Sequence, residues 1–356
     1  MRPLYLMDQQ VSPPKIESSG NLGLWYDKFY DQWERPTSSS IKNPSDHKIR
    51  WIQKAVDLNE GLSHEHKKMA DELISRVLEL VHGVGGLFLV FETTSSFVTG
   101  LGLGHPIENG FIWHSLLGAP YIPGPTLKGQ LKAWPQWSGE TESEFSEVLD
   151  RITILDSLPL LPVTLRGEVM TPHHSQYYRD GSPPADYDSP IPIAFLTVAP
   201  GQEFLMAALG SKDDLKVLEK YWDISLEYMG IGAKTSSGFG RFQRNKAKEK
   251  VLRLALEQKA REIEQQRQLA GLVPWEREMW EDGYYDDADK FIQALGAKWL
   301  DRLENASTEE ADRTLIAERL HLWYENNRRD QWQKPNKKNA EKIGRIKKYL
   351  PSGPRQ

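Results

Sequence analysis

The chain contains no cysteine, which excludes disulfides, thiolate catalysis and cysteine-ligated zinc together. It has no apolar run long enough to span a membrane, and its first residues lack a basic, apolar, small-residue leader pattern, so a cytoplasmic protein without membrane contact is expected. Positive charge is not in excess either: 45 Lys and Arg stand against 50 Asp and Glu, a formal net charge of -5. Nucleic-acid binding would therefore have to come from local patches. The 356 residues leave room for one large domain or two modest ones, and 12 of them are tryptophan. Trp33, Trp137, Trp275, Trp280 and Trp332 fall in polar contexts, as partner surfaces or the packing of peripheral helices would require.

The most informative stretch is Gly230-Ile231-Gly232-Ala233-Lys234-Thr235-Ser236-Ser237-Gly238-Phe239-Gly240-Arg241-Phe242. Its glycines can take positive φ, and its small residues leave backbone N–H groups uncovered, a composition that suits phosphate. Leu215, Leu218, Trp222, Leu226 and Met229 before it recur at helical spacing, which places Gly230 as the glycine that ends a helix. Phe239, Arg241, Phe242, Arg244 and Lys246 read as a strand with charge at its end. The loop is not a P-loop, because Ala233 precedes Lys234 and a helix comes first, and it is not a dinucleotide fingerprint, because Thr235 stands where the third glycine belongs. The alternative to phosphate binding is a flexible Gly/Ser surface loop.

Residues 1–46 mix Pro, Ser, Gly and aromatic residues and read as an extended arm, whose Trp25, Tyr26, Phe29, Tyr30 and Trp33 need a surface to pack on. A helix begins near Ser63, with Met69, Leu73, Val77 and Leu80 on one stripe beside Ala70, Ile74 and Leu78. His64 and His66 at its start suit a solvated first turn better than a metal, for want of partners at ligand spacing. Residues 85–92 read as a buried strand and are followed by a second glycine-rich loop, Thr99 to Pro106. Pro123-Gly124-Pro125-Thr126 then opens a helix with Leu127, Leu131 and Trp134 on one face and Lys128 and Lys132 on another, an anion site in outline at the N-terminus.

Strands follow at 160–169 and 191–209, the second broken by a turn at Ala199-Pro200-Gly201-Gln202. The long segment between them carries His173, His174, Tyr177, Asp186 and Asp188, which fit stacking on bases or a partner better than a metal site. Beyond the glycine loop, residues 246–268 form a charged helix that Pro274 interrupts. Two amphipathic helices follow: one carries Phe291, Leu295, Trp299 and Leu303, and the other is capped by Ser307 with Glu310 and carries Leu315, Ile316, Leu320 and Trp323. The basic tail from Lys334 to Lys348 suits either polyanion contact or solubility.

Strand, helix, two strands, helix, glycine loop and strand make the βαββαβ order of an α+β, ferredoxin-like (RRM-like) domain at 85–245. The N-terminal arm and helix, 1–84, pack on it, and a helical extension, 246–356, follows. That order, with the loop directly before the last strand, resembles the RAMP superfamily of CRISPR proteins. Gly104-His105-Pro106-Ile107-Glu108-Asn109-Gly110, Gly118 to Gly124 with Leu127-Lys128-Gly129, and Met170 to His174 with Pro184-Ala185-Asp186 and Pro190-Ile191-Pro192 resemble, within it, the sixth-subunit family of the Cmr (type III-B) effector complex. Pro125, where serine is common, and Lys132, where arginine is common, depart from the pattern.

The resemblance implies a non-catalytic subunit that holds the 3′-proximal guide RNA and the guide–target duplex, beside the backbone and 3′-end capping subunits of the complex, with no cofactor and no metal. The implied RNA-binding residues are Gly230, Gly232, Lys234, Thr235, Ser236, Ser237, Gly238, Gly240 and Arg241 of the loop, Gly124, Lys128 and Lys132 of the helix, and His173, His174 and Tyr177 of the insertion, a thumb-like element. The rival function is a RAMP-type, metal-independent endoribonuclease that processes guide precursors, with His105, His114, His173 or His174 as its base. A protein–protein scaffold is a third reading.

Overall fold

The computed structural model describes residues 15–16, 20–31, 45–60, 64–139, 143–160, 162–171, 181, 183 and 192–351. It divides into two compact units, Met1–Glu257 and Gln258–Gln356.

In the first unit, α1 (Leu22–Lys28), α2 (Ser45–Glu60) and α3 (His64–Gly83) lead to strand β1 (Leu87–Thr93). Then come α4 (Gly124–Ser138), α5 (Ser143–Arg151), the short strands β2 (Thr153–Ile154) and β3 (Leu158–Pro159), and β4 (Leu165–Met170). Strands β5 (Ile193–Val198) and β6 (Glu203–Leu209), helix α6 (Lys212–Tyr228), a 3-10 turn (Thr235–Ser237), β7 (Phe242–Arg244) and α7 (Lys246–Ala270) follow.

The main sheet runs β2-β6-β1-β7, with β3 also paired to β6, and all its pairings are antiparallel. This is the strand order of a ferredoxin-like sheet. Leu87 to Glu92 of β1 lie opposite Ala208 to Glu203 of β6, so the pleat sends alternate residues to opposite faces. Leu89, Phe91, Phe204, Met206 and Phe242 share a core with Leu127 and Leu131 of α4 and with Leu215, Leu218, Trp222 and Leu226 of α6. Phe88, Val90, Leu205 and Ala207 pack on the other side with Ile74, Leu78 and Val81 of α3, flanked by Leu252 and Leu256 of α7. Burial on both faces explains why β1 reads as an unbroken apolar run.

Four expectations are corrected in this unit. The second strand of the fold is made by 153–154 and 158–159, and β4 instead pairs with β5 in a separate two-stranded sheet, Leu165 opposite Val198 through Met170 opposite Ile193. Continuous apolarity at 158–165 hides this division, and Pro159 limits how far β3 can extend a ladder. Residues 22–28 are not extended but helical, capped by Asn21, whose side chain accepts from the Leu24 N–H at 2.8 Å. On α3 the inward stripe is Ala70, Ile74, Leu78 and Val81, while Met69 and Leu80 are exposed. His66, expected in a solvated turn, is buried.

The aromatic arm packs on its own chain: Trp25 stacks on Trp51 at 4.1 Å and Tyr26 on His105 at 4.6 Å. Trp33 lies outside the described residues. At the edge of the main sheet, buried Glu249 accepts from the Val90 N–H at 3.1 Å and from Arg244 through both carboxylate oxygens, at 2.7 and 2.9 Å. Arg244 also meets Glu219 at 2.7 Å and Asp223 at 3.2 Å. The first turn of α7 thus covers the backbone that β7 leaves unpaired.

The second unit is helical. It contains α8 (Pro274–Glu281), α9 (Ala288–Ala294), a π-helical turn (Leu295–Trp299), α10 (Leu300–Glu304), α11 (Glu310–Asn327), α12 (Arg329–Gln333) and α13 (Lys337–Lys347). Phe291, Leu295, Trp299, Leu303, Ile316, Leu320 and Trp323 are buried, as their spacing predicts, but Leu315 is exposed. Pro274 starts a helix at its first position. The expected Ser307 cap is absent, because the Ser307 hydroxyl donates to Asn305 at 2.9 Å and α11 begins after Glu309. The basic tail is in part structural: Ile343 and Ile346 are buried, and Arg345 pairs with Asp301 and Glu304.

Candidate functional site

The glycine loop takes its shape from steric necessity at several points. Gly230, Gly232, Lys234, Gly238 and Gly240 all have positive φ, between 60° and 92°. A Cβ on Gly240 would stand 1.9 Å from the Ile231 carbonyl oxygen, and one on Gly232 would stand 2.3 Å from that of Val98. Only glycine permits these approaches.

The loop is stitched down by backbone bonds: the Ile231 N–H to Gly240 at 2.9 Å, the Ala233 N–H to Val98 at 2.8 Å and the Gly240 N–H to Ser96 at 2.9 Å. Arg241 contributes from its side chain, donating to the carbonyls of Met229, Phe239 and Thr235. Its guanidinium therefore ties the loop together from within. The N–H groups of Gly232, Lys234, Thr235 and Ser236 have no acceptor among the described residues. Four unspent donors beside one lysine form a concavity suited to an anion.

Lys234 Nζ lies 2.9 Å from Met170 Sδ and 5.1 Å from the centre of the Phe195 ring, with no carboxylate in ion-pair range among the described residues. Partial burial holds its pKa below the usual lysine range. Ser236, Ser237 and Gly238 are exposed on the 3-10 turn.

Gly124, Lys128 and Lys132 of the helix each meet a carboxylate of the chain. Gly124 donates its N–H to Asp156 Oδ1 at 2.7 Å, and a Cβ there would meet the Ile154 carbonyl oxygen at 2.4 Å. The expected anion site at this N-terminus thus already holds a carboxylate of the chain. Lys128 and Lys132 face Asp150 at 3.9 and 3.5 Å. His173, His174 and Tyr177 lie outside the described residues.

His105 has both ring nitrogens engaged. Nδ1 accepts from the Ile107 N–H at 3.2 Å, so Nε2 carries the proton and donates to the Tyr26 carbonyl at 3.0 Å. Burial pushes its pKa down to about 4. His114 Nδ1 accepts from the Leu117 N–H at 3.3 Å, and burial lowers its pKa as well.

What sequence reasoning missed is a cleft of about 410 Å³ that joins the two glycine loops to one face of α4. Thr99 to Gly102 line one side, Thr126, Gly129, Gln130 and Ala133 another, and Met229 to Ala233 with Thr235 the third. The glycine run at 99–104 was the available signal, but nothing in the spacing shows that it meets the later loop.

Residues 90–243 match the family model of the RAMP superfamily. Over 110 residues the chain is 38% identical to the CRISPR system Cmr subunit Cmr6 of Pyrococcus furiosus, covering 28% of this chain and 32% of that protein, so it spans about a third of that curated relative's length. Among solved structures, a chain from a type III-B Cmr-β complex bound to cognate target RNA is 18% identical at a TM-score of 0.46, over 58% of this chain and 77% of that one. Cmr6 from Pyrococcus furiosus is 24% identical at a TM-score of 0.30, over 45% of this chain and 98% of that one. Residues 90–243, which hold most of the ferredoxin-like sheet and the glycine loop before its last strand, thus match the RAMP superfamily, and the chain is similar in part to a Cmr6 subunit.

Proposed function

We propose that this chain is a non-catalytic, RNA-binding subunit of a type III-B CRISPR effector complex. It acts in antiviral defence in the cytoplasm and holds the 3′-proximal guide RNA and the guide–target duplex through its glycine loop, beside the backbone and 3′-end capping subunits. The observation that carries the reading is the group of four N–H donors at Gly232, Lys234, Thr235 and Ser236 without an acceptor among the described residues, beside a lysine without a carboxylate partner among them. Such a concavity holds phosphate oxygens without reading sequence. The similarity to a Cmr6 subunit supports the assignment to an effector complex. The spent ring nitrogens and low pKa of His105 argue against its service as a general base.

The test is RNA binding by the purified chain across a salt series, comparing wild type with Lys234→Ala and with Gly232→Ala, while the RNA is checked for cleavage. Sequence-tolerant binding that weakens with salt and with both variants, on RNA that stays intact, is expected. Binding indifferent to the loop would overturn the site, and metal-independent cleavage would move the assignment to an endoribonuclease.

A further inference from the structure

The lysines of residues 334–348 differ from the other cations of their unit. Lys298, Arg302, Arg319, Arg328 and Arg329 each meet a carboxylate within 3.3 Å. Arg345 likewise spends its guanidinium on Asp301 and Glu304. Lys334, Lys337, Lys342, Lys347 and Lys348 have no ion-pair partner among the described residues, and all but Lys342 are exposed. Glu341 is the single acid opposing them between 331 and 351. Helix stability does not account for this charge. Lysine in a last turn complements the helix dipole, which suits Lys347, but Lys337 opens α13 at the positive end, where no acid of the first turn offsets it.

These lysines stand on a fixed surface. Lys334, Pro335 and Asn336 join α12 to α13, and Asn339 clips the two helices together. Its N–H donates to the Asn336 side chain at 2.9 Å, and its amide donates to Gln331 at 3.0 Å. Ile343 and Ile346 of α13 are buried. Lys347 lies 5.3 Å from the centre of the Trp332 ring and Lys348 5.5 Å from that of Tyr349, contacts that position a charge without neutralising it. On the outer face, Lys337, Ala340, Glu341, Gly344 and Lys348 follow at three- and four-residue steps, so lysines flank a low stretch that holds two small residues.

Two kinds of partner do not fit this face. A membrane surface needs an apolar stripe to bury, and both isoleucines of α13 already face inward. A protein partner needs an aromatic or aliphatic anchor, and among the described residues no large exposed apolar side chain falls between 323 and 351. The face suits a polyanion held by charge alone.

We infer that α13 and the turn before it form a second RNA contact, which holds the phosphates of a single strand without reading its bases. The inference rests on the RNA-binding reading above, which already brings this polyanion to the chain, and extends it to a unit outside the residues that match the RAMP family. Lysines act as point charges on phosphate, Asn339 is spent on Gln331, and Ala340 and Gly344 offer no side-chain donor to a base edge.

The test is fluorescence anisotropy of a single-stranded oligouridylate on the full chain across a salt series. Lys334→Gln with Lys337→Gln, and separately Lys347→Gln with Lys348→Gln, each lower the slope of log affinity against log salt by about 1.4, two phosphate contacts on a single strand. Glu341→Gln removes the opposing charge and tightens binding, a gain that a merely structural α13 would not produce. Far-ultraviolet circular dichroism and thermal melting show that each variant is folded. Unchanged slopes in both double variants, or tighter capture of a duplex DNA of equal charge through the same lysines, would overturn the inference, while the loop reading stands on its own dependence on Lys234. Slopes that respond to α13 but not to Lys234 would keep this contact and remove the one at the loop. If wild type binds no RNA, both readings fall.

Discussion

Lys234 rests its ammonium 5.1 Å from the centre of the Phe195 ring and 2.9 Å from Met170 Sδ, on the two strands that flank the segment between β4 and β5. The same hairpin touches the loop twice more: Phe239 meets Phe195 at 5.9 Å, and Glu168 accepts from the hydroxyl of Ser96, whose carbonyl holds the Gly240 N–H. The loop and the base of the insertion are thus one packed structure.

Replacing Lys234 by Ala is expected to lower the slope of log affinity against log salt by about 0.7, one phosphate contact on a single strand, while changing unfolding midpoints little. Burial lowers the lysine's pKa, so its charge is lost first as pH rises. Wild-type affinity therefore declines below the pH at which ordinary lysines titrate, and the variant lacks that early step. Fluorescence anisotropy across salt and pH reads both effects.

Two glycines of the loop should separate conformational strain from collision. Gly238→Ala places a Cβ in open space at φ +89°, and costs about 1–2 kcal/mol for the left-handed backbone alone. Gly240→Ala adds a clash with the Ile231 carbonyl and costs about 3 kcal/mol or more. Urea unfolding of the two variants would contradict this ranking if their losses were equal.

Glu249→Ala strips the Val90 N–H of its acceptor and leaves Arg244 half-buried without its bidentate partner, an expected loss of about 3–5 kcal/mol. Glu249→Gln keeps a carbonyl oxygen for one donor and loses less. A double-mutant cycle with Arg244→Met measures the coupling, and a negligible coupling energy would show that the carboxylate serves the strand edge alone.

His105 gives the first unit a pH signature. Its folded pKa, about 4, is depressed below the usual 6.5, so between these values the unfolded chain binds the extra proton and stability falls as pH falls. The full effect is about 3 kcal/mol, present above pH 6.5 and lost toward pH 4. Asp27 opposes it: burial raises its pKa to about 6, which favours the folded state as pH falls through that value, and Lys28 offsets part of that rise. Denaturant midpoints of wild type and His105→Gln should therefore converge as pH drops from 6.5 to 4, and parallel curves would count against the buried neutral ring.

Gly129→Ala should raise stability by about 0.5–1 kcal/mol, since α4 gains a helix former and the new methyl group meets no atom. Thermal unfolding checks the sign.

Local chemistry was readable in the chain and remote partners were not. The glycine loop stood out because Gly230 ends a helix whose apolar residues, Leu215 to Met229, recur at helical spacing. In the second unit, Phe291, Leu295, Trp299 and Leu303 likewise announce their own buried face. The carboxylate at Gly124 comes from Asp156, 32 residues onward, and no local pattern links them. The loop at 99–102 meets the later loop where the Val98 carbonyl accepts from the Ala233 N–H, a contact between residues far apart in the chain. The N-terminal aromatics misled for a related reason: a seven-residue helix, Leu22–Lys28, is too short to show a period, and it is held by Trp51 and His105 rather than by its own sequence.

Arg241, bound inward to three carbonyls of its own loop, has a consequence for kinetics. A loop already fixed in shape loses little backbone entropy on capturing a strand, so encounter needs no slow rearrangement. Differences among RNA ligands would then be written in how long each one stays rather than in how fast it arrives.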